Sequence, residues 1–235
     1  MFSYYGSKAN VIDYYPPPKF DKIIEPFAGS ARYSLKYFEK DILLIDKYDV
    51  ITDIWNFLKQ ASEKDILGLP ILKRGETVND FNLSDIEKKL VGFYAKRGNA
   101  TPCIRASDRT LVHRPNAQNY QRSLIAKQLF KIRHWKIINA DFNEIKNECA
   151  TWYIDPPYQF GGHSYKHSNK KIDFFTLADW CKSRNGQAIV CENTKANWLN
   201  FKPVVNNKGS LFLTTEAILS NHKTNYDNVQ IDLFQ

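Results

Sequence analysis

The stretch Ile23-Ile24-Glu25-Pro26-Phe27-Ala28-Gly29-Ser30-Ala31 decides how this chain folds. Its first half reads as a strand and its second as a tight turn of small residues. Apolar side chains at Tyr33, Leu35 and Phe38 then take up helical spacing. Strand, glycine turn and helix in that order open an α/β sheet, in which ligands bind outside the carboxyl ends of the strands. The next apolar run, Ile42-Leu43-Leu44-Ile45, ends in Asp46, where such folds usually bond a nucleotide's ribose hydroxyls. A third run, 136–141, ends in Asp141, and a fourth, Ala150-Thr151-Trp152-Tyr153-Ile154, ends in Asp155. Taken singly, Gly29 fits any strand-to-helix loop and Asp46 any helix N-cap. The spacing of the whole series is what carries weight.

After the fourth run comes Asp155-Pro156-Pro157-Tyr158. Proline has no N–H to donate and a fixed φ, so the sheet ladder stops there. It also holds the residue before it in extended geometry. The result is a stiff strand exit presenting a carboxylate, a carbonyl and a flat ring. That set suits gripping a planar amine. The exocyclic amine of a nucleobase is a weak nucleophile because its lone pair is delocalised into the ring. Two acceptors aimed at its hydrogens, the Asp155 carboxylate and the Pro156 carbonyl, favour the pyramidal nitrogen that attacks a methyl donor. Tyr158 is suited to stack on a base taken out of the duplex. The plain alternative is a strand-ending turn, for which Asp and Pro are common residues.

With these pieces in place the chain resembles the Dam-type DNA adenine-N6 methyltransferases, which use S-adenosylmethionine. The matching stretches are Tyr4-Tyr5-Gly6-Ser7-Lys8, Glu25-Pro26-Phe27-Ala28-Gly29-Ser30-Ala31, Asp46, Asn139-Ala140-Asp141-Phe142 and Asp155-Pro156-Pro157-Tyr158, all in the family's order. The resemblance fades between about residues 57 and 135. It implies a Rossmann-like methyltransferase fold, α/β with a mostly parallel sheet and an inserted, largely helical DNA-recognition region. It implies that Tyr4, Phe27, Ala28 and Gly29 line the cofactor pocket and that Lys8 binds the methionine carboxylate. Asp46 is expected on the ribose, Asp141 and Phe142 at the cofactor adenine, and Asp155 to Tyr158 on the target base. One departure is Ala31, where many relatives carry a second glycine.

Charge is distributed unevenly. Residues 57–135 hold 15 Lys and Arg against 7 Asp and Glu, a net of +8, while the remainder holds 18 of each and nets zero. A neutral catalytic half (1–56 with 136–235) carrying a basic insertion (57–135) is what a cofactor domain with a DNA-reading module should look like. A solvated surface is the bland alternative. Arg97, Asn99, Arg105, Arg109 and Arg114 are candidates for base edges, and Lys73, Arg74 and Arg122 for phosphates. The expected partner is double-stranded DNA, and a companion restriction endonuclease is compatible with this reading.

Hydrophobic content of 43% is ample for a core. No apolar run is long enough to span a bilayer and no signal peptide is evident, so a cytoplasmic location is expected, bacterial or in a phage-infected host. Cys103, Cys149, Cys181 and Cys191 form no CxxC pair and are read as reduced thiols. His163 and His167 have a spacing seen in metal sites, but no cysteine pair accompanies them, and no metal is expected. Helices are expected over 51–58, 84–94, 117–134 and 174–183, with a candidate hairpin from Cys103 to Arg114. Further strands are expected over 187–191, 211–218 and 228–234. The glycine-hinged loop from Gln159 to His167 is expected to order over a flipped base.

These readings converge on a site-specific DNA adenine-N6 methyltransferase. Cytosine-N4 methylation needs the same grip. Methylation of RNA or of a protein amide, and a DNA-binding relative without catalysis, are the alternatives from other classes.

Overall fold

The computed structural model describes residues 1–96, 98–114, 116–208 and 213–222. In chain order the strands among them are β1 (Lys22–Glu25), β2 (Asp41–Asp46), β3 (Lys136–Asn139), β4 (Ala150–Ile154), β5 (Gly186–Asn193), β6 (Lys202–Lys208) and β7 (Leu213–Ser220). The helices are α1 (Arg32–Lys36), α2 (Asp49–Gln60), α3 (Glu63–Gly68), α4 (Asp85–Ala95), α5 (Asp108–His113), α6 (Ala117–Gln128) and α7 (Phe174–Lys182).

The strands form one sheet in the order β3-β2-β1-β4-β5-β7-β6. The first five are parallel, and β7 runs against both of its neighbours. This is the Rossmann-like methyltransferase fold that the sequence led us to expect. β4 sits mid-sheet and is buried along its whole length, which is why it reads as a continuous apolar run rather than an alternating one. The strand order reverses between β1 and β4, and that switch point is where such sheets open a crevice for ligands.

Each face of the sheet has its own core. On one side α2 lays down Val50, Ile51, Ile54, Trp55 and Leu58 on a single stripe. The helices of the insertion join that same core rather than building a separate one. Leu90, Phe93 and Tyr94 of α4 pack there, and Phe2 bridges the two parts with ring centroids 5.3 Å from Trp55 and 5.6 Å from Phe93. The other side is covered by α7 through Leu177, Ala178 and Cys181, with Trp152 and Trp180 meeting edge to face at 5.5 Å. Asp173 starts α7 by accepting from the backbone N–H groups of Phe175 and Thr176.

One expectation needs correction, and two elements were not foreseen. Cys103 to Arg114 is not a hairpin: Arg105 pairs with Thr77 in an isolated antiparallel bridge, and Asp108–His113 winds into α5. The short run Leu111-Val112 cannot by itself separate strand from helix, and Asp108 in the first turn favours the helix through its dipole. β6 was not anticipated, because Pro203 interrupts a polar run; it is an edge strand with a register shift between Pro203 and Val205, which is where proline is tolerated. α3 was missed despite its capping box, Ser62 with Asp65. The strand expected over 228–234 lies outside the described residues.

Candidate active site

A cavity of about 320 Å³ opens at the carboxyl ends of β1, β2, β3 and β4, within the size range of small-ligand pockets. Four loops build it. After β1 come Pro26 to Arg32, after β2 Asp46 to Tyr48, after β3 Asp141 to Asn143, and after β4 Asp155 and Pro157. Tyr4 to Lys8 of the N-terminal segment close one wall.

The glycine turn is pinned from three directions. Ala28 N–H donates to the Ile45 carbonyl at 2.9 Å, Gly29 N–H donates to Asp46 Oδ2 at 3.0 Å, and Trp55 Nε1 donates to the Gly29 carbonyl at 2.9 Å. Gly29 has φ +44°, and a Cβ placed there would stand 3.0 Å from the Tyr4 ring. A side chain there would be strained by the positive φ and would crowd Tyr4, so glycine suits both the conformation and the space. Ala31 has φ +45°, the left-handed region in which a Cβ is strained, so this alanine holds a backbone conformation that favours glycine.

Asp46 holds the turn with one oxygen and accepts Tyr48 N–H at 2.9 Å with the other. Burial pushes its pKa up to about 6 despite these two donors. Glu25, almost wholly buried, accepts the Ser34 N–H at 2.6 Å, one of the first free donors of α1. Burial dominates there too and lifts its pKa to about 8. At the far end of the cavity Phe27 and Phe142 face each other at 5.6 Å, and Asp141 pairs with Lys47 at 2.5 Å.

The strand exit after β4 is supported from behind. Lys8 Nζ lies 3.2 Å from Asp155 Oδ1, 3.5 Å from Glu216 Oε1 and 4.2 Å from the centre of the Tyr158 ring. Burial acts to lower the Lys8 pKa, yet Asp155 and Glu216 together raise it above the ordinary lysine value. Burial raises the Asp155 pKa to about 6, with Lys8 opposing the rise and Glu216 adding to it. The Tyr158 hydroxyl donates to Glu216, and neither Tyr158 nor Pro156 lines the cavity as Asp155 and Pro157 do. Glu192 of β5 accepts the Gln159 N–H at 2.5 Å, tying the end of the turn to the sheet.

The loop after Tyr158 folds back over the cavity. Gly162 packs on Pro157 so closely that a Cβ would lie 2.8 Å from its carbonyl carbon. Tyr165 seats its ring 5.1 Å from Tyr5 and 5.9 Å from Tyr4 and donates to the Tyr5 carbonyl at 3.2 Å. Tyr165 to Ser168, with Lys171 to Asp173, form the roof. His167 leans its edge on Tyr48, and burial with the nearby lysines 47, 171 and 166 keeps its imidazole below the usual pKa. Among the described residues no group of three His, Cys, Asp or Glu side chains could hold a metal ion, and no helix is long and apolar enough to cross a membrane.

The eight residues expected around a cofactor, Tyr4, Lys8, Phe27, Ala28, Gly29, Asp46, Asp141 and Phe142, all line this one cavity. The insertion residues are more scattered. Lys73, Arg74, Arg105, Arg109 and Arg114 are exposed, and Arg74 lies 3.4 Å from Asp108 on α5. Arg122 turns inward to the Leu69 carbonyl at 2.6 Å, and the Asn99 carbonyl accepts from Tyr5 N–H at 3.1 Å. Arg97 lies outside the described residues. Sequence reasoning missed Tyr15 and Glu216, which bond each other at 2.6 Å beside Lys8, and Glu192, whose charge also acts on Asp155. For Glu216 the one available signal was a lone charge in the otherwise uncharged strand Leu213–Ser220.

No family model matches the chain, and no curated protein does. Among solved structures it is similar to a candidate methyltransferase, yhhF, from Escherichia coli, at 9% identity and a TM-score of 0.35, covering 90% of this chain and 78% of that one. It is also similar to a candidate methylase, HI0767, from Haemophilus influenzae, at 9% identity and a TM-score of 0.36, covering 86% and 80%. Likeness of that order settles neither family nor substrate. The fold rests on the strand order itself.

Proposed function

We propose that this chain is a site-specific DNA adenine-N6 methyltransferase that uses S-adenosylmethionine. The observation that carries the reading is a single cavity that joins the glycine turn, Asp46 and the Phe27–Phe142 pair to the Asp155 carboxylate at the switch point of the sheet. The donor set fits a zwitterionic nucleoside. Lys8 and Arg32 offer positive charge, Asp46 offers a carboxylate to a ribose diol, and the two rings offer an apolar end for a purine.

When bound, S-adenosylmethionine supplies an electrophilic methyl carbon on a sulfonium. The protein's part is to make N6 of adenine a nucleophile. The Asp155 carboxylate, which lines the cavity, accepts one N–H of the amine and draws the lone pair onto nitrogen; the Pro156 carbonyl lies outside the cavity in this structure and would accept the second N–H only after the turn shifts toward the base. The prolines restrict the backbone that carries Asp155, which limits the orientations open to it before the base arrives. Transfer would be direct and in line, with no covalent enzyme intermediate: the bond from N6 to the methyl carbon would form as the sulfonium–methyl bond breaks, the thioether would leave, and the surplus proton on nitrogen would pass to the Asp155 carboxylate. The roof from Tyr165 to Ser168 keeps water from the methyl donor. The basic insertion, net +8, supplies the affinity for duplex DNA.

Sequencing plasmid DNA from cells that express the protein, with detection of modified bases, tests this directly. N6-methyladenine at one short sequence is expected. N4-methylcytosine in its place, or DNA without modification, contradicts the proposal.

A further inference from the structure

We propose that Glu216 of β7 is a positioning residue for the reaction at Asp155, clamping Lys8 and Tyr158 against the back of the Asp155-Pro156-Pro157-Tyr158 turn. The inference rests on the reading of Asp155 as acceptor for the target amine. Glu216 is only 7% exposed and does not line the cavity, so its carboxylate meets neither solvent nor a bound cofactor. A buried carboxylate in a strand is costly unless its oxygens are engaged. Here one oxygen, Oε1, gathers three donors: the Tyr15 hydroxyl at 2.6 Å, the Tyr158 hydroxyl, and Lys8 Nζ at 3.5 Å.

Two of those donors belong to the site itself. Lys8 is shared with Asp155, and its ammonium also lies over the Tyr158 ring. Tyr158 is therefore fixed at its face by Lys8 and at its hydroxyl by Glu216. Withdrawing Glu216 frees the Tyr158 hydroxyl and one side of Lys8, and with them the placement of the turn that carries Asp155. The clamp comes from β7, the strand that runs against its neighbours, which places Glu216 opposite Asn193 at the carboxyl end of β5.

The cluster holds one cation for two carboxylates, and the remaining neighbours do not offset the excess. Facing Asp155 are Lys8 and Tyr15 from the N-terminal segment, Glu25 from β1 and Tyr153 from β4. Tyr158 and Tyr165 face it from the loop after β4, and Cys191 and Glu192 from β5. The Glu216 charge favours the protonated form of Asp155, and Lys8 favours the ionised form. Removing the Glu216 charge therefore lowers the Asp155 pKa. It also leaves Lys8 wholly to Asp155, which acts in the same direction.

The test uses Glu216→Gln and Glu216→Ala in the full chain, each checked for folding by circular dichroism. Gln keeps an oxygen for the two tyrosine hydroxyls. It should retain turnover while moving the acid limb of the pH–rate profile to lower pH. Ala should lower kcat by about 10²-fold through lost orientation, well beyond the change in KM for S-adenosylmethionine that release of Lys8 brings. A merely structural residue would move neither the limb nor kcat apart from KM. Titration of the Asp155 side-chain carboxyl by ¹³C NMR gives a readout that needs no activity, with a lower pKa expected in Glu216→Gln. An unmoved titration, or a folded Glu216→Ala protein with wild-type kcat, overturns the inference. Absence of methyl transfer by the wild-type chain overturns the proposed function instead, and the carboxyl titration still decides whether Glu216 acts on Asp155.

Discussion

Basic side chains do opposite work in the two parts of this molecule. At the strand ends Lys8 is 9% exposed, shared between two carboxylates and stacked on a tyrosine. In the insertion Lys73, Arg105, Arg109 and Arg114 stand exposed, and the Arg74–Asp108 pair sits in solvent with both side chains at least 70% exposed. A buried charge must be paired, so each member of the strand-end cluster constrains the others. Exposed charges are screened and nearly independent. Single substitutions should therefore be severe in the first region and mild in the second.

The largest effect is expected for Asp155→Ala. Methyl transfer should fall by about 10³-fold, because the acceptor is lost where charge develops. Cofactor binding measured by calorimetry should change little. Transfer near the wild-type rate would break the comparison at its centre.

Glu25→Gln probes the burial of a charge in the wall of the cavity, read through stability rather than turnover. Glu25 is raised from 4.5 to about 8, so its protonated form favours folding. That stability is fully present below pH 4.5 and is lost as pH rises through 8. Wild-type unfolding free energy from urea titrations should therefore carry a Glu25 slope of about 1.4 kcal/mol per pH unit in this window. The amide variant still accepts from Ser34 and should flatten the curve. Parallel curves for the two proteins would show that Glu25 does not titrate in the fold.

The turn residues Gly29 and Ala31 share a backbone conformation and should respond with opposite signs. Gly29→Ala adds a Cβ 3.0 Å from Tyr4 and should destabilise by about 2 kcal/mol, whereas Ala31→Gly relieves a left-handed alanine and should gain up to about 1 kcal/mol. Chemical denaturation of both variants checks the pair, and equal signs would contradict the assigned geometry.

Arg109→Ala should give the smallest effect. DNA affinity should drop only a few-fold, with the slope of log K against log salt reduced by about 1 and kcat at saturating DNA unchanged. A collapse of activity would place Arg109 in the site rather than on a solvated face.

What the sequence made legible follows the same division. β1, β2 and β4 were readable because their interior residues are buried and apolar on both faces, and the acids at their ends mark the loops that build the cavity. The glycine turn was readable because Gly29 takes a positive φ and a Cβ there would crowd Tyr4. β6 was not, since an edge strand with Pro203 among Lys202, Asn206 and Asn207 carries no such pattern. The insertion showed its charge but not its geometry. Nothing in the charge of Arg122 distinguishes a phosphate contact from its actual bond to the Leu69 carbonyl. Glu216 lies 61 residues from Asp155 in sequence and reaches the site only because β7 is threaded between β5 and β6, a pairing that local pattern does not encode.

The central claim is that the ends of β1, β2 and β4 form a single site for a methyl donor. Isothermal titration of S-adenosylmethionine into the full chain and into Asp155→Ala tests it, whatever DNA sequence the protein recognises. The account predicts one bound cofactor per chain in both proteins, with similar affinity. No binding to the folded wild-type protein would contradict it.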